Sequence, residues 1–301
     1  MGKVLITGAI GQLGKCIRDE VSGRKDTKNS YSYSDIIRDY DAVKFDLLSP
    51  IEEIYDFIKD YDVIINCAAY TNVNGCETDE LSDKVNVEAV KKLSKLTRSF
   101  GKKLIHISTD YVFDGEENKP YSTTSTTAPL NSYGLQKKNA ENYIKSLWPL
   151  TYDDDASRMM VIRTSWLYSM YGHNFVKTIM NKVKNNDEIK VVYDQVGTPT
   201  YARDLAKFIV DVVENDAITN GIFHYSNEGV ASWYDFAEAI KEYMSEDAKI
   251  VPTKTDYKNI GAMRPHFSVL SKEETKERFR FAVIPYWRDS LKKCVNEILR
   301  M

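Results

Sequence analysis

The fold of this 301-residue chain is decided at residues 3–14, which read KVLITGAIGQLG. Four apolar or β-branched residues in a row, 4–7, predict a buried parallel strand. The glycines that follow, Gly8, Gly11 and Gly14, predict a sharp turn into a helix. Glycine suits such a turn because a dinucleotide pyrophosphate must approach bare N–H groups at a helix N-terminus, where a Cβ would collide. The spacing is Gly-x-x-Gly-x-x-Gly rather than Gly-x-Gly-x-x-Gly, so a glycine turn made only for packing remains the alternative.

Composition restricts the class of protein. The chain has 41 Lys and Arg against 44 Asp and Glu, a net charge of −3, and no basic tract, which argues against a nucleic-acid partner. No apolar run approaches the ~20 residues that cross a bilayer. The four cysteines, Cys16, Cys67, Cys76 and Cys294, form no Cys-x-x-Cys pair, and the chain opens directly in a strand without a signal-like segment. We therefore expect a cytoplasmic protein with no membrane partner.

Strand-like and helix-like segments alternate over the first half of the chain. The predicted strands after the first are 43–47, 61–66, 103–108 and 159–166. The predicted helices are 16–21, 51–58, 81–100 and 133–144. This alternation predicts an α/β fold with a doubly wound parallel Rossmann-type sheet.

The second half is less regular and predicts a smaller C-terminal lobe. Its predicted helices are 175–183, 200–213 and 233–243, and its predicted strands are 190–193 and 221–226. We assign 1–165 and about 196–228 to the dinucleotide-binding Rossmann domain, and about 166–195 and 229–301 to a substrate-binding lobe. The lobe should fold against the carboxyl edge of the sheet, with the substrate between the two.

The preference between NADH and NADPH stays open. An acidic residue at the end of the second strand favours the ribose hydroxyls of NAD, whereas basic residues there favour the 2′-phosphate of NADP. Arg24, Lys25 and Lys28 offer basic groups in this region, with a solvated loop as the alternative.

The pair Tyr133 and Lys137 carries the predicted chemistry, because residues four apart at a helix start share one helical face. A phenol has a pKa of ~10, and an ammonium ~5 Å away at an effective dielectric constant of ~20 contributes roughly 3 kcal/mol, or about two pKa units. We therefore expect Lys137 to lower the pKa of Tyr133. Thr109, at a predicted strand end, adds a hydroxyl that can hold a carbonyl oxygen.

Together these three residues predict a carbonyl-reducing site in which Tyr133 protonates the developing alkoxide and Lys137 anchors the nicotinamide ribose. If the Tyr-x-x-x-Lys spacing is considered alone, the alternative is an ordinary pair of exposed side chains on a helix. The order along the chain favours the catalytic interpretation, because the pair follows the glycine turn, the small residues of 66–69 and Thr109.

Several segments carry a resemblance to a known family. They are GQLG at 11–14, AAYTNV at 68–73, STDYVFDG at 108–115, APLNSYG at 128–134, RTSW at 163–166, DQVGTPT at 194–200, YSNEG at 225–229 and RP at 264–265. In these segments the chain resembles the extended short-chain dehydrogenase/reductase family, and within it the reductases of dTDP-linked keto sugars. The resemblance implies NAD(P)H-dependent reduction of the C4 ketone of dTDP-4-dehydro-6-deoxy-L-mannose to dTDP-L-rhamnose.

The resemblance also implies roles for individual residues. The cofactor would contact Gly8, Gly11, Gln12 and Leu13 at the pyrophosphate, Asp46 and Leu47 at the adenine, Ala69, Tyr70 and Thr71 on the nicotinamide side, and Tyr133 and Lys137 at the reacting end. The catalytic residues would be Thr109, Tyr133 and Lys137. The dTDP-sugar would contact Thr109, Asp110, Val73 and Trp166 at the deoxysugar, and Asn174, Phe175 and Arg264 at the thymidine diphosphate.

Some members of that family are described as joining subunits through a metal bound by carboxylates, one of them just after the glycine loop. This chain has Lys15 and Cys16 there, so no metal site is predicted and a homodimer stays open. Two further alternatives remain: a reductase or epimerase of another nucleotide sugar, and a non-catalytic regulatory subunit like the one associated with methionine adenosyltransferase. The presence of Thr109, Tyr133 and Lys137 argues against the regulatory subunit.

Overall fold

The computed structural model describes residues 3–24, 48–148, 158–185, 188–259 and 261–301. The predicted strand 43–47, with the predicted adenine residues Asp46 and Leu47, lies outside the described residues, as do Lys25 and Lys28. In these ranges no helix has both the length and the apolar character to span a membrane.

Strands and helices are numbered within the described ranges. The strands are β1 (Val4–Thr7), β2 (Val63–Asn66), β3 (Lys103–Thr109), β4 (Arg158–Thr164), β5 (Leu167–Tyr168), β6 (Glu188–Val192), β7 (Val196–Gly197), β8 (Thr200–Tyr201), β9 (Gly221–His224), β10 (Ala231–Ser232) and β11 (Lys249–Thr253). The α-helices are α1 (Gln12–Arg24), α2 (Ile51–Ile58), α3 (Leu81–Asp83), α4 (Ala89–Ser99), α5 (Ser132–Ser146), α6 (Phe175–Asn185), α7 (Ala202–Glu214), α8 (Trp233–Met244), α9 (Glu273–Arg278) and α10 (Trp287–Leu299).

The central sheet has the strand order β1-β2-β3-β4-β9, and every neighbouring pair is parallel. Its strands are buried almost throughout, as a parallel sheet covered on both faces requires. Helices α1 and α7 pack together in one apolar core, while α2, α4 and α5 contribute to another. The predicted doubly wound parallel sheet is confirmed.

The parallel register places particular polar residues side by side at the carboxyl edge of the sheet. Thr7 pairs with Asn66, and Asn66 pairs with His106 on the next strand. Farther along, Thr109 lies level with Thr164. Ligands bind at this edge in doubly wound sheets, so the register determines which side chains meet there.

Element boundaries differ from the predictions where tertiary contacts intervene. The first helix begins at Gln12 rather than at 16, because the glycine turn leads directly into it. The predicted helix 81–100 contains a π-helical turn at Lys84–Glu88. This turn carries the buried Asn86, whose amide accepts a hydrogen bond from the Tyr70 N–H at 2.9 Å and donates one to Gln136 at 2.9 Å.

The smaller lobe has an apolar core of its own, distinct from the two beside the sheet. Helices α6, α8 and α10 pack around the parallel pair β6–β11, and Ile189, Phe236 and Leu291 lie buried among them. Neither β11 nor α10 was predicted from the sequence. For α10 the signal was present, because Trp287, Leu291 and Val295 recur at helical spacing and are all buried.

Candidate active site

A cavity of about 610 Å³ lies at the carboxyl edge of the sheet, and segments of the smaller lobe form part of its wall. This volume is typical of small-molecule and cofactor sites. The predicted site residues that line it are Gly8, Gly11, Gln12, Leu13, Ala69, Thr71, Val73, Thr109, Asp110, Tyr133, Lys137, Trp166 and Asn174. Residues that line it without having been predicted include Cys67, Tyr111, Ser165, His173 and Trp233. All of them except Trp233 lie within two positions of a predicted site residue in the sequence.

The glycine turn at one end of this cavity fits a dinucleotide pyrophosphate. Gly8 has a φ of 69°, and a Cβ there would lie 2.7 Å from the Ala68 backbone nitrogen. A Cβ on Gly11 would lie 3.2 Å from the Gly8 carbonyl oxygen, and Gly11 itself lines the cavity. Helix α1 begins at Gln12, so the N–H groups of its first turn are available to an anion.

Two neighbouring elements deliver the predicted catalytic side chains. Thr109 ends β3, and α5 begins at Ser132 and carries Tyr133 and Lys137 on its first turns. The start of α5 is fixed because Asn131 accepts a hydrogen bond from the Gly134 N–H at 2.8 Å. Thr109, Tyr133 and Lys137 all line the cavity. The predicted convergence of Thr109, Tyr133 and Lys137 on one cavity is therefore found in the structure.

The predicted lowering of the Tyr133 pKa by Lys137 was wrong. Burial raises the pKa of the Tyr133 phenol, and the Asp110 carboxyl raises it further. Lys137 is engaged elsewhere: its Nζ donates to the Ile107 carbonyl oxygen at 2.7 Å and lies 3.2 Å from His106 Nε2. Burial lowers the pKa of Lys137 itself to about 8.

Asp110 stands beside this pair as a buried carboxyl group. Burial raises its pKa to about 7, although the hydrogen bond from Thr109 opposes the shift. Its Oδ1 atom accepts from Thr109 Oγ1 at 3.1 Å, whereas its Oδ2 atom has no hydrogen-bond partner among the described residues. An unsatisfied oxygen in a residue that lines the cavity is able to accept a hydrogen bond from a ligand hydroxyl.

Trp166 is packed more tightly than the sequence suggested. Its ring stacks on Trp233 with centroids 3.6 Å apart and an interplanar angle of 5°. A Cβ on Gly197 would lie 2.7 Å from its Cε2 atom, so Gly197 also leaves room for this ring. The Trp166 backbone is in the left-handed region, with a φ of 47°, which marks a strained position beside the cavity. The apolar wall predicted from Trp166 alone is thus built by Trp166 and Trp233 together.

Two predicted site residues differ from their predicted positions. Tyr70 is not among the residues that line the cavity, and its backbone is hydrogen-bonded to the buried Asn86. Asn174 lines the cofactor end rather than the predicted nucleotide end. Its amide donates to Gln12 Oε1 at 2.9 Å and to the Ser169 carbonyl oxygen at 2.8 Å, so it joins the smaller lobe to the glycine turn.

A second cavity of about 410 Å³ adjoins the first, and Tyr111 and Trp233 line both. Phe175 and Arg264, predicted at the thymidine diphosphate, line it. Other residues that line it, none of them predicted, include Lys182, Lys190, Gln195, Thr255 and Asn259. Nothing in the sequence distinguished these two lysines from ordinary surface lysines. The three cationic side chains of Lys182, Lys190 and Arg264 outnumber the one carboxylate in the lining, Asp256, and this excess of positive charge suits an anionic ligand such as a diphosphate.

The fold and the site define a class of protein. A doubly wound parallel sheet in which a glycine turn, a strand-end threonine and a Tyr-x-x-x-Lys helix share one cavity is the arrangement of a Rossmann-type reductase. The chain belongs to the family described as RmlD substrate binding domain, whose model matches residues 2–300. The predicted resemblance is thereby confirmed.

Relatives of known activity are similar to the chain over nearly its whole length. The dTDP-4-dehydrorhamnose reductase of Burkholderia thailandensis is 33% identical, over 99% of this chain and 99% of its own. The crystal structure of a dTDP-4-dehydrorhamnose reductase from Clostridium acetobutylicum matches with a TM-score of 0.86 and 36% identity, covering 99% of this chain and 100% of that chain. The dTDP-4-dehydrorhamnose reductase of Bacillus anthracis, solved in complex with NADP, matches with a TM-score of 0.84 and 31% identity over 99% and 100%.

Proposed function

We propose that this protein reduces the C4 ketone of dTDP-4-dehydro-6-deoxy-L-mannose to dTDP-L-rhamnose with NADPH or NADH. The observation that carries the proposal is that Thr109, Tyr133 and Lys137 line one cavity with the glycine turn. The activity named for relatives that cover nearly the whole chain supports it. NADP in the Bacillus anthracis structure supports a nicotinamide cofactor here.

When bound, the dihydronicotinamide supplies a hydride to C4 of the keto sugar. Tyr133 donates its phenolic proton to the carbonyl oxygen, which becomes the hydroxyl of the product. Burial and Asp110 keep the phenol protonated near neutral pH, so the acid form required for this step is the one present. Thr109 orients the same oxygen through its hydroxyl, and solvent resupplies the proton that Tyr133 gives up.

We assign the cofactor to the first cavity, with its pyrophosphate on Gly8, Gly11, Gln12 and Leu13, and Lys137 on the nicotinamide ribose. Ala69 and Thr71 lie on the nicotinamide side of this cavity. The parts assigned to Asp46 and Leu47 at the adenine remain predictions from the sequence.

We assign the dTDP-sugar to the path that runs from the first cavity into the second. Val73, Asp110 and Trp166 line the sugar end, where the unsatisfied Asp110 Oδ2 atom can accept from a sugar hydroxyl. Phe175 offers a ring face to the thymine, and Arg264 a guanidinium fork to the diphosphate. Lys182 and Lys190 add positive charge in the same cavity.

The test is turnover of the keto sugar by wild type and Tyr133→Phe, followed through the absorbance of NADPH and NADH. Removing a positioned proton donor should lower kcat by roughly 10²–10⁴ while the Kd for NADPH stays within about twofold. Undiminished turnover by Tyr133→Phe removes this residue from the mechanism. Failure of wild type to oxidise either cofactor with this sugar, but success with another nucleotide-linked keto sugar, would establish the alternative substrate class.

A further inference from the structure

We propose that Gln195 determines which base is accepted at the nucleotide end of the substrate: its side-chain carbonyl accepts a hydrogen bond from N3–H of the thymine, and Asp194 and Thr255 fix its amide in that orientation. Gln195 lies between β6 and β7, is 5% exposed and lines the second cavity. The inference rests on the proposed function, because the dTDP-sugar is what brings a thymine to this cavity.

The orientation of the Gln195 amide follows from counting donors and acceptors. Thr255 Oγ1 lies 2.7 Å from Asp194 Oδ1 and 2.9 Å from Gln195 Nε2. A carboxylate can only accept, so the single hydroxyl proton of Thr255 goes to Asp194. The hydroxyl oxygen must then accept from its other neighbour, which must be the donor end of the Gln195 amide.

Asp194 is held in the ionised form that this count requires. Besides the hydroxyl, its two carboxylate oxygens accept from the Thr255 N–H at 3.1 and 3.0 Å. Burial raises the pKa of Asp194, but the hydrogen bonds from Thr255 outweigh it, so the pKa lies below its usual value. Turning the Gln195 amide over would therefore set its oxygen against the Thr255 oxygen with no proton between them.

With Nε2 bonded to Thr255, the other end of the Gln195 amide is an acceptor that the protein does not use. In the part of the chain that the structure describes, Gln195 Oε1 has no hydrogen-bond partner. A carbonyl oxygen left unsatisfied at so buried a position is costly, and buried polar atoms are nearly always paired. Because Gln195 lines a cavity, a ligand can supply the missing donor.

The charged groups of this cavity are suited to another part of the ligand. Its cationic side chains, two lysines and Arg264, match the diphosphate. Both oxygens of Asp256 are already engaged, by the Lys258 N–H at 3.1 Å and by Asn259 Nδ2 at 2.8 Å. Gln195 Oε1 is thus a neutral acceptor with a fixed direction, which suits a neutral N–H or O–H donor.

The nucleotide end of a dTDP-sugar offers two such donors, N3–H of the thymine and the 3′-hydroxyl of the deoxyribose. The diphosphate has acceptors only, and the deoxysugar hydroxyls are assigned to the first cavity. Phe175 and Trp233, with ring centroids 4.5 Å apart, line the same cavity as Gln195 and offer stacking faces to a planar base. These faces favour the base over the deoxyribose as the partner of Gln195.

This contact selects among bases by the proton on N3. Thymine and uracil carry that proton, whereas N3 of cytosine is an acceptor and would turn a lone pair toward Gln195 Oε1. The amide cannot answer by turning over, because Thr255 and Asp194 hold its other end. A site built to hydrogen-bond a donor strongly rejects an analogue that lacks it. We therefore expect cytosine nucleotides to be rejected.

The first experiment measures the Kd of the wild-type protein for dTDP, dCDP and 3′-deoxythymidine diphosphate by isothermal titration calorimetry. We expect dCDP to bind roughly 10- to 100-fold more weakly than dTDP, and the 3′-deoxy analogue to bind about as well as dTDP. Equal affinities for dTDP and dCDP overturn the proposal. So does a loss of affinity for the 3′-deoxy analogue that disappears in Gln195→Met, because the oxygen would then accept from the deoxyribose.

The second experiment changes the amide and the residue that holds it. Gln195→Met keeps the length of the side chain but removes the acceptor, so the preference for dTDP over dCDP should fall by roughly tenfold. Thr255→Val removes only the hydroxyl that orients the amide, so Gln195 can turn its Nε2 toward N3 of cytosine, and the preference should fall as well. A preference that survives in Gln195→Met overturns the proposal.

The matched control is Thr178→Val, because Thr178 lines the same cavity but its hydroxyl donates to the Asn174 carbonyl oxygen at 3.0 Å. Its preference for dTDP over dCDP should equal that of wild type. An equal fall of the preference in Thr178→Val and Thr255→Val would reflect a general change in the cavity and contradicts the proposal. If Gln195→Met does not fold, the wild-type preference and Thr255→Val decide the matter.

Failure of this inference is distinguishable from failure of the proposed function. A wild-type protein that reduces the dTDP-linked keto sugar but binds dTDP and dCDP equally refutes only the assignment of Gln195. A wild-type protein that prefers dTDP, loses the preference in Gln195→Met and reduces no dTDP-linked keto sugar refutes the proposed function and leaves the assignment of Gln195 standing.

Discussion

Burial determines the charge state of the individual groups in this site. It raises the pKa values of Asp110 and Tyr133 and lowers that of Lys137, so each group is shifted toward its neutral form. A proton donor must hold its proton until the oxygen of the substrate develops negative charge. The buried phenol of Tyr133 meets that requirement without the electrostatic help that the sequence suggested from Lys137.

Asp110 gives the clearest prediction for a single residue. Its pKa is raised from 3.8 to about 7, so the folded state binds this proton more tightly than the unfolded chain does. The resulting stabilisation is complete below about pH 4 and is lost as the pH rises through 7. Asp110→Asn, which does not ionise, should therefore gain stability relative to wild type as the pH rises, and its advantage should grow by roughly 2–3 kcal/mol between pH 5 and pH 8.

Urea unfolding at the two pH values measures this difference. Asp114→Asn is the control, because the hydrogen bond from Tyr121 lowers the pKa of Asp114 and its ionised form contributes stability. Asp114→Asn should be less stable than wild type at pH 8. A stability gain for Asp110→Asn that is equal at pH 5 and pH 8 would show that ionisation is not its cause.

Among the elements, α5 has the most constrained position. Its first turn carries Tyr133 and packs against the turn that follows β3. Gly134 makes this contact possible, since a Cβ there would collide with the Tyr111 carbonyl oxygen and lie 2.9 Å from Pro129 Cβ. Gly134→Ala should push the start of α5 outward, destabilise the protein by roughly 1–3 kcal/mol and lower kcat by up to about 10².

Gly23 in α1 is the matched control, because it is also helical and a Cβ there meets nothing within 4 Å. Gly23→Ala should be neutral or stabilise the protein by about 0.5–1 kcal/mol, with turnover unchanged. Thermal unfolding and the kcat of the three proteins decide the matter. Equal stability of the two variants would refute the assigned close contact of α5 with Tyr111.

In the whole molecule, the two cavities meet at Tyr111 and Trp233, so a ligand that extends through both must contact the Rossmann half and the smaller lobe. We propose that the predicted division, with 1–165 and about 196–228 in one domain and about 166–195 and 229–301 in the other, describes these two halves. Arg264 connects them, because it donates to Asn74 Oδ1 at 3.0 Å and to the Ala262 carbonyl oxygen at 2.8 Å.

Arg264 should therefore control nucleotide affinity rather than cofactor affinity. Arg264→Gln removes a charge-assisted hydrogen bond worth about 1.5–3 kcal/mol, so the Kd for dTDP should rise by roughly 10- to 100-fold. The Kd for NADPH should not change. Isothermal titration calorimetry measures both, with Arg280→Gln as a charge-matched control at an exposed position. A dTDP affinity equally weakened in both variants would indicate a general charge effect instead.

The sequence by itself determined the layered fold and most of the cofactor end of the site. Alternating strand and helix patterns predict a parallel sheet, and the glycine turn, Thr109, Tyr133 and Lys137 are recognisable because each is local to one strand end or helix start. Only the tertiary structure decided what these groups do to one another. The position of Asn174 at Gln12, the stacking of Trp166 on Trp233 and the contact of His106 with Lys137 all join residues distant in sequence. The physical reason is that burial, strand register and packing set pKa values and hydrogen-bond partners, and none of these is encoded in the spacing of residues along the chain.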